Sequence, residues 1–190
     1  MLASPLQMAN MVAMVANQGR IYRPRLLKEV RDPQTGNVLR QTEPELAHVS
    51  PVRKDTFRTV ARAMRGVVTE GTANVVITTK AVEVAGKTGT GEVGLEDRWH
   101  SWFAAYGPYD PEGKDGREPV VVVVSVEAAN EWEWWAPKAA DVIFQGIFGE
   151  QTFEEAVETL KPWWYIQERQ ERARLAQSTE RAAGTREPEQ

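Results

Sequence analysis

Residues 84–93 read VAGKTGTGEV, and the interpretation of the whole chain depends on this stretch. β-Branched residues precede it, and glycine then alternates with lysine and threonine. β-Branched residues favour strands, whereas closely spaced glycines disfavour a helix. The pattern therefore predicts a strand over residues 82–93 that carries Lys87 near its middle. The glycines beside Lys87 would let the backbone of a ligand approach the strand closely.

Two kinds of site contain a similar lysine. A phosphate-binding loop has the form G-x-x-x-x-G-K-[ST] and leads directly into a helix whose amides bind phosphate. Here Ala81 occupies the position of the first glycine, and Thr88 is followed by Gly89 and two more glycines, which disfavour a helix start. The alternative is the Lys-Thr-Gly element of serine acyl-transfer enzymes, and the sequence favours it.

Two more strands are predicted after this one. Residues 102–106 are mostly aromatic or small, and residues 119–126 contain a continuous run of valines, with a turn-rich segment over 107–118 between them. An uninterrupted apolar strand is typical of a sheet that is covered on both faces. We therefore expect helices on both sides of this sheet.

Three helices are predicted around these strands. Ser4, Pro5 and Gln7 form a capping box with proline at the first helical position, so one helix should span residues 5–18. Its residues are nearly all apolar, which predicts an interior helix. Ser50 and the following proline predict the start of a second helix that ends near residue 71. The third should begin at residue 137, with a buried face made of Ala136, Ala140, Ile143 and Ile147.

A peripheral hairpin is predicted over residues 25–41, because turn formers fill residues 32–37. With the helices and the three later strands, the chain is predicted to have an α/β (α+β) fold. The sheet should be mainly antiparallel, with helices on both faces.

Composition excludes several classes of function. The chain of 190 residues has 23 Lys and Arg against 27 Asp and Glu, with no basic block, so nucleic acid is an unexpected partner. It has no cysteine and two histidines, His48 and His100, so we expect neither a thiolate nor a histidine metal site. No apolar run, the valine run over residues 120–124 included, is long enough to span a bilayer, so the chain as given is expected to be soluble.

Several further motifs resemble the transpeptidase domain of class B penicillin-binding proteins, a family of serine enzymes that recognise penicillin. The resemblance covers about residues 1–149. Its motifs occur in this order: SPLQMA at residues 4–9, ANQG at 16–19, RP at 23–24, EGTA at 70–73, AGKTGT at 85–90, HSWF at 100–103 and AP at 136–137.

The resemblance implies a partial transpeptidase fold and roles for individual residues. Lys87 would belong to the hydrogen-bond network of the active site, and Thr88 and Thr90 would bind the carboxylate of a D-alanyl-D-alanine terminus or of a β-lactam. Gly89 would leave space for the ligand, and the Thr90 amide would supply half of the oxyanion hole. Thus Lys87 and Thr90 are candidate catalytic residues, and Thr88, Gly89 and Thr90 are candidate substrate-binding residues. No cofactor is implied.

The sequence departs from the family in one respect. No serine is followed by lysine at the third position, and no S-x-N motif is present. The acylating serine, its lysine and the middle motif are therefore expected outside this sequence. We interpret residues 1–149 as the C-terminal part of the transpeptidase domain, which should be inactive alone.

The resemblance also implies partners and a location for the intact protein. These partners would be a peptidoglycan stem peptide, β-lactam antibiotics, the N-terminal half of the same domain and a membrane glycosyltransferase. The intact protein would be anchored to the cell membrane and face the periplasm or the cell exterior. A β-lactamase or β-lactam sensor, or a non-catalytic interaction module, remain the alternatives.

Residues 150–190 differ in composition from the rest. A short helix is predicted after Thr152, and residues 167–190 are rich in charge and should be helical and then disordered. Tryptophans cluster at 132, 134 and 135 and again at 163 and 164. They are expected either to line a groove or a membrane surface or, more simply, to pack the tail against the loop that follows the valine strand.

Overall fold

The computed structural model describes residues 3–94, 98–129, 134–163, 165–167, 169 and 174–175. Over these residues the chain forms four helices and seven strands. The helices are α1 (Pro5–Ala16), α2 (Lys54–Thr69), α3 (Trp135–Gly149) and α4 (Phe153–Leu160). The strands are β1 (Arg20–Tyr22), β2 (Glu29–Arg31), β3 (Val38–Gln41), β4 (Leu46–Val49), β5 (Ala85–Glu92), β6 (Trp99–Gly107) and β7 (Val120–Ala129).

The three predicted C-terminal strands form one antiparallel sheet in the order β5-β6-β7. In this sheet β5 is an edge strand, and Lys87 lies opposite Ala104 in the central strand β6. The predicted strand is therefore confirmed, although it begins at Ala85 rather than at residue 82, and its outer margin is open among the described residues.

Apolar residues cover both faces of this sheet, as the valine run predicted. On one face Phe103, Ala105 and Val122 pack with the α3 residues Ala140 and Phe144. On the other face the buried residues come from α1, α2 and the alternate positions of the strands. They are Val12, Met64, Ala85, Ala104 and Tyr106. The predicted fold class, an antiparallel sheet with helices on both faces, is confirmed.

Helix α1 differs from its prediction in burial, and helix α2 differs in where it begins. The capping box of α1 is present, but only Val12 is buried in this helix, and Leu6 and Met11 are exposed, so it is not an interior helix within the described chain. The second helix begins after Arg53 rather than after Ser50. The Ser50 hydroxyl instead accepts a hydrogen bond from the amide of the second residue after it, which makes a turn before the helix.

The buried face of α3 was predicted wrongly in part. Ala140 is buried, but Ile143 and Ile147 are exposed, and the polar residues Asp141 and Gln145 occupy the interior instead. They do so because their side chains bind the 78–79 segment, which approaches this side of the helix. A tertiary contact thus overrides the apolar periodicity.

The predicted hairpin is confirmed as the antiparallel pair β2 and β3, and Asp32 accepts hydrogen bonds from the amides of Gln34 and Thr35 in its turn. A second small sheet, in which β1 pairs with β4, was not predicted. These strands are three and four residues long and mostly exposed, so they carry little hydrophobic periodicity.

The short helix predicted after Thr152 is α4, and the capping box between Thr152 and Glu155 is formed. Ala156 and Val157 of α4 pack against Val142 of α3. Residues 167–190 were predicted to be helical and then disordered, and all of them except 167, 169 and 174–175 lie outside the described residues. Within the described part of the chain, no helix combines the length and the apolar character needed to cross a membrane.

Candidate functional site

A cleft of about 170 Å³ lies beside the edge strand β5. It is bounded by β5, by the first residues of β6, by the loop after α2 and by the start of α3. Its lining residues are Thr72, Thr88, Gly89, Thr90, Trp99, Ser101, Trp102, Trp134 and Pro137. Three of the four predicted site residues, Thr88, Gly89 and Thr90, are therefore brought together in one cleft.

Lys87, the fourth predicted residue, does not line this cleft. Successive side chains of a strand point to opposite faces, so Lys87 shares its face with Ala85, which packs towards α1 and α2. The Lys87 side chain is exposed, and its Nζ donates a hydrogen bond to the carbonyl of Thr88 at 2.6 Å. Its catalytic role stays a prediction, and its contact with the cleft lining is this hydrogen bond to the backbone of Thr88.

Two hydroxyl groups that were not predicted complete the polar side of the cleft. The Thr72 hydroxyl lies 3.0 Å from the Thr88 hydroxyl, although the two residues are 16 positions apart. Ser101 lies opposite Thr90 across the β5–β6 pair, and its hydroxyl accepts a hydrogen bond from the amide of Ala136 at 3.3 Å. With Thr88 and Thr90, four residues that carry a hydroxyl thus line the cleft.

Three tryptophans and a proline form the apolar side. Trp99 and Trp102 come from β6, and Trp134 and Pro137 come from the start of α3. Trp134 therefore belongs to the groove, which was one of the two predictions for the aromatic cluster. Residues 132 and 164, which belong to the same prediction, lie outside the described residues.

Close packing fixes the position of β5. A Cβ atom built on Gly86 would lie 2.6 Å from Cζ of Phe103 and 2.7 Å from Cβ of Ala105. Both distances are far below van der Waals contact, so a glycine is required beside Lys87 for the strand to lie this close to the core. This requirement explains the glycine that precedes the lysine in the motif.

The segment that leads into β5 is held by the buried carboxylate of Asp141. Its oxygens accept hydrogen bonds from the amides of Thr78 and Thr79, each at 2.9 Å, and from the Thr78 hydroxyl at 2.8 Å. Burial raises the pKa of Asp141, and these hydrogen bonds, with the charge of Lys80, act in the opposite direction. The carboxylate is a structural acceptor away from the cleft lining.

The surroundings of Lys87 exclude a phosphate-binding loop. The lysine lies within an eight-residue strand, and the chain continues through Glu92 without entering a helix. The described residues also contain no group of three or more His, Cys, Asp or Glu side chains that could hold a metal ion. The cleft therefore offers hydroxyl and amide groups together with an aromatic wall, rather than a phosphate or metal site.

An exposed Lys-Thr-Gly edge strand beside a hydroxyl-lined cleft, on an antiparallel sheet covered by helices, is typical of penicillin-recognising enzymes. Residues 1–148 match the family model described as the penicillin binding protein transpeptidase domain. The chain therefore belongs to this family, and the resemblance inferred from its motifs is confirmed.

Curated relatives agree with this assignment. The chain is 30% identical over 146 residues to the peptidoglycan D,D-transpeptidase MrdA of Haemophilus influenzae. The matched region covers 67% of this chain and 21% of the relative. It is 32% identical over 133 residues to the peptidoglycan D,D-transpeptidase PbpA of Mycolicibacterium smegmatis, covering 67% of this chain and 25% of the relative. The chain thus spans a quarter or less of these relatives, and neither name favours a β-lactamase.

Solved structures give the same result. The D,D-transpeptidase domain of a peptidoglycan glycosyltransferase from Eggerthella lenta matches with a TM-score of 0.63 at 28% identity, covering 78% of this chain and 33% of the other. Pseudomonas aeruginosa PBP2 in complex with WCK 5153 matches with a TM-score of 0.53 at 30% identity, covering 74% and 29%.

Four lining residues that were not predicted stand inside the motifs named above, whereas Trp99 stands in none of them. Thr72 belongs to EGTA, Ser101 and Trp102 belong to HSWF, and Pro137 belongs to AP. The motifs marked these segments as related to the family, but they gave no indication that the side chains meet around one cleft. Only the path of the chain between them provides that information.

Proposed function

We propose that this chain supplies the carboxylate-binding part of a serine D,D-transpeptidase site that acts on peptidoglycan stem peptides. The proposal rests on one observation: four hydroxyl-bearing residues, Thr72, Thr88, Thr90 and Ser101, line a cleft at the open edge of β5. Hydroxyls donate hydrogen bonds to a carboxylate, and an open strand edge pairs with an extended peptide.

In this proposal the D-alanyl-D-alanine terminus lies along β5, with its carboxylate at Thr88 and Thr90. Gly89 presents no Cβ atom to the peptide backbone. The amide of Thr90 donates to the oxyanion that forms on the scissile carbonyl, a contribution typically of about 3 to 4 kcal/mol for one donor. The aromatic side of the cleft contacts the apolar parts of the ligand.

The covalent chemistry requires a serine from outside this sequence. Its hydroxyl oxygen attacks the carbonyl between the two D-alanines, the peptide C–N bond breaks, and the departing amine takes up a proton as terminal D-alanine. The acyl group then passes to the amine of an acceptor peptide, which restores the serine. The chain by itself is therefore proposed to be inactive, and a β-lactam would acylate the same serine in the intact protein.

For the intact protein we further propose a membrane anchor and a location at the periplasmic or outer face of the membrane. The N-terminal half of the domain would be its first partner. A chain in the solved structure of a peptidoglycan synthase complex that coordinates polymerization and crosslinking is 28% identical to this chain, with a TM-score of 0.61. That likeness supports a membrane glycosyltransferase as a further partner.

Mass spectrometry tests the need for an external serine. After incubation of the chain with benzylpenicillin, the intact mass should remain unchanged. A gain equal to one penicilloyl group would contradict the proposal that the acylating residue lies elsewhere.

Titration with N-acetyl-D-alanyl-D-alanine tests the cleft. In ¹⁵N-labelled chain, amide signals of residues 88–90 should shift, and Thr88→Val should weaken binding about tenfold, because it removes a hydrogen bond to a charged group. Thr59→Val is the matched control, since Thr59 is an exposed threonine of α2 that is absent from the cleft lining. Equal binding by both variants, or shifts confined to other residues, would argue against this site.

A further inference from the structure

The first turn of α3 forms one wall of the cleft, but its N-cap residue does little to stabilise this turn. Trp134, at the N-cap, makes no side-chain capping hydrogen bond and has a φ of 41°, in the left-handed region. This region costs a bulky residue about 1–3 kcal/mol unless surrounding contacts enforce it. The wall that contains Trp134 and Pro137 therefore needs support from other parts of the chain.

A buried lysine increases the need of this turn for support from other parts of the chain. Lys138 lies in the first turn of α3 and is only 5% exposed. A positive charge is unfavourable there, because it faces the positive end of the helix dipole. Its Nζ lies 4.5 Å from the ring centroid of Trp135 and 5.6 Å from that of Trp163. Both distances allow a cation–π attraction, so two indole rings stabilise this charge.

One of these rings comes from beyond the part of the chain that matches the family. The family match ends at residue 148, and Trp163 follows α4 and the buried Pro162. Helix α4 is fixed on α3 by the buried residues Ala156 and Val157. Trp163 itself is 62% exposed, so its contribution to the hydrophobic core is small, and its contact with Lys138 is its distinctive interaction.

We infer that the first part of the C-terminal extension, residues 150–163, is a positioning element of the cleft. Through Trp163 it encloses the Lys138 ammonium, and it thereby holds the first turn of α3 with Trp134 and Pro137 in the cleft wall. The effect on ligand binding rests on the proposed function, whereas the effect on the helix turn does not. In this role Trp163 and Lys138 are positioning residues that act through the wall and need not touch the substrate.

The test is Trp163→Ala in the 190-residue chain. Amide hydrogen exchange at Lys138, whose amide donates to the carbonyl of Trp134, should accelerate about three- to tenfold, which is the scale of one cation–π contact. Affinity for N-acetyl-D-alanyl-D-alanine should fall by a similar factor, and Trp163→Phe should retain part of both properties. Ile147→Ala, at an exposed position near the other end of α3, should change neither.

A double-mutant cycle shows whether Trp163 acts through the cation. In a Lys138→Met background, Trp163→Ala should have little further effect on exchange or affinity. The same fold-change in both backgrounds, or no change in wild type, would overturn the inference. If the wild-type chain binds no ligand while exchange still responds to Trp163→Ala, the proposed function fails and the positioning role of the extension stands.

Discussion

Replacing Asp141 with alanine should destabilise the protein more than most single changes. Asp141 is 3% exposed, and its carboxylate accepts hydrogen bonds from the amides of Thr78 and Thr79 and from the Thr78 hydroxyl. Alanine would leave the buried amide of Thr79 and the partly buried amide of Thr78 without an acceptor, at about 1–3 kcal/mol each. We expect a loss of about 3–5 kcal/mol in the free energy of unfolding, a large part of the total for a domain of this size.

Asp141→Asn separates the charge from the acceptor geometry. The amide oxygen of asparagine still accepts from both backbone amides, and the Thr78 hydroxyl can rotate to accept from its nitrogen. Because the desolvated charge is also removed, the free energy of unfolding of this variant should lie within about 1 kcal/mol of the wild-type value at neutral pH. Asp55→Ala, at an exposed position in α2, is the control and should change stability by no more than about 0.5 kcal/mol.

The raised pKa of Asp141 predicts a pH dependence. Folding favours the protonated carboxyl when the folded pKa lies above the unfolded one, so this contribution to stability is full below the ordinary value of 3.8. It is lost as the pH rises through the raised pKa, and Asp141→Asn should lack this component.

Urea unfolding followed by tryptophan fluorescence, repeated across the acid range, measures these effects. The reasoning would be refuted if Asp141→Ala stayed within about 1 kcal/mol of wild type. It would also be refuted if the asparagine variant were as unstable as the alanine variant, since charge rather than acceptor geometry would then hold the segment.

Three other changes have clear expected outcomes. Gly86→Ala should cost about 1–3 kcal/mol or more in urea unfolding, because its Cβ would overlap the ring of Phe103; wild-type stability would show that β5 can move outward. Phe144→Ala, at a fully buried core position, should lower the free energy of unfolding by about 3–5 kcal/mol, and a loss under 1 kcal/mol would contradict its place in the core. Hydrogen bonds from Thr152 lower the pKa of Glu155, so its contribution to stability is present above the ordinary pKa and lost as the pH falls through the lowered value. Glu155→Gln should therefore reduce the acid sensitivity of unfolding monitored by circular dichroism, and an unchanged pH profile would contradict the cap.

Much of the fold followed from local patterns. The capping boxes at Ser4 and Thr152, the turn at Asp32 and the valine strand were predicted because each depends on residues only a few positions apart. The family and the strand that carries Lys87 were predicted for the same reason, since motif spacing is a property of the sequence.

Long-range contacts decided the rest. Asp141 and Gln145 are buried in place of Ile143 and Ile147, because a segment more than 60 residues earlier supplies their hydrogen-bond partners. The meeting of Thr72 with Thr88 likewise depends on the path of the chain between α2 and β5.

The amino-acid sequence by itself determined the family, the strand order along the chain and three residues of the cleft. The tertiary structure alone decided which residues line that cleft, that Lys87 is not among them, and that Trp163 reaches Lys138. Periodicity along a chain fixes which residues alternate on an element. Only packing between elements fixes what each face meets.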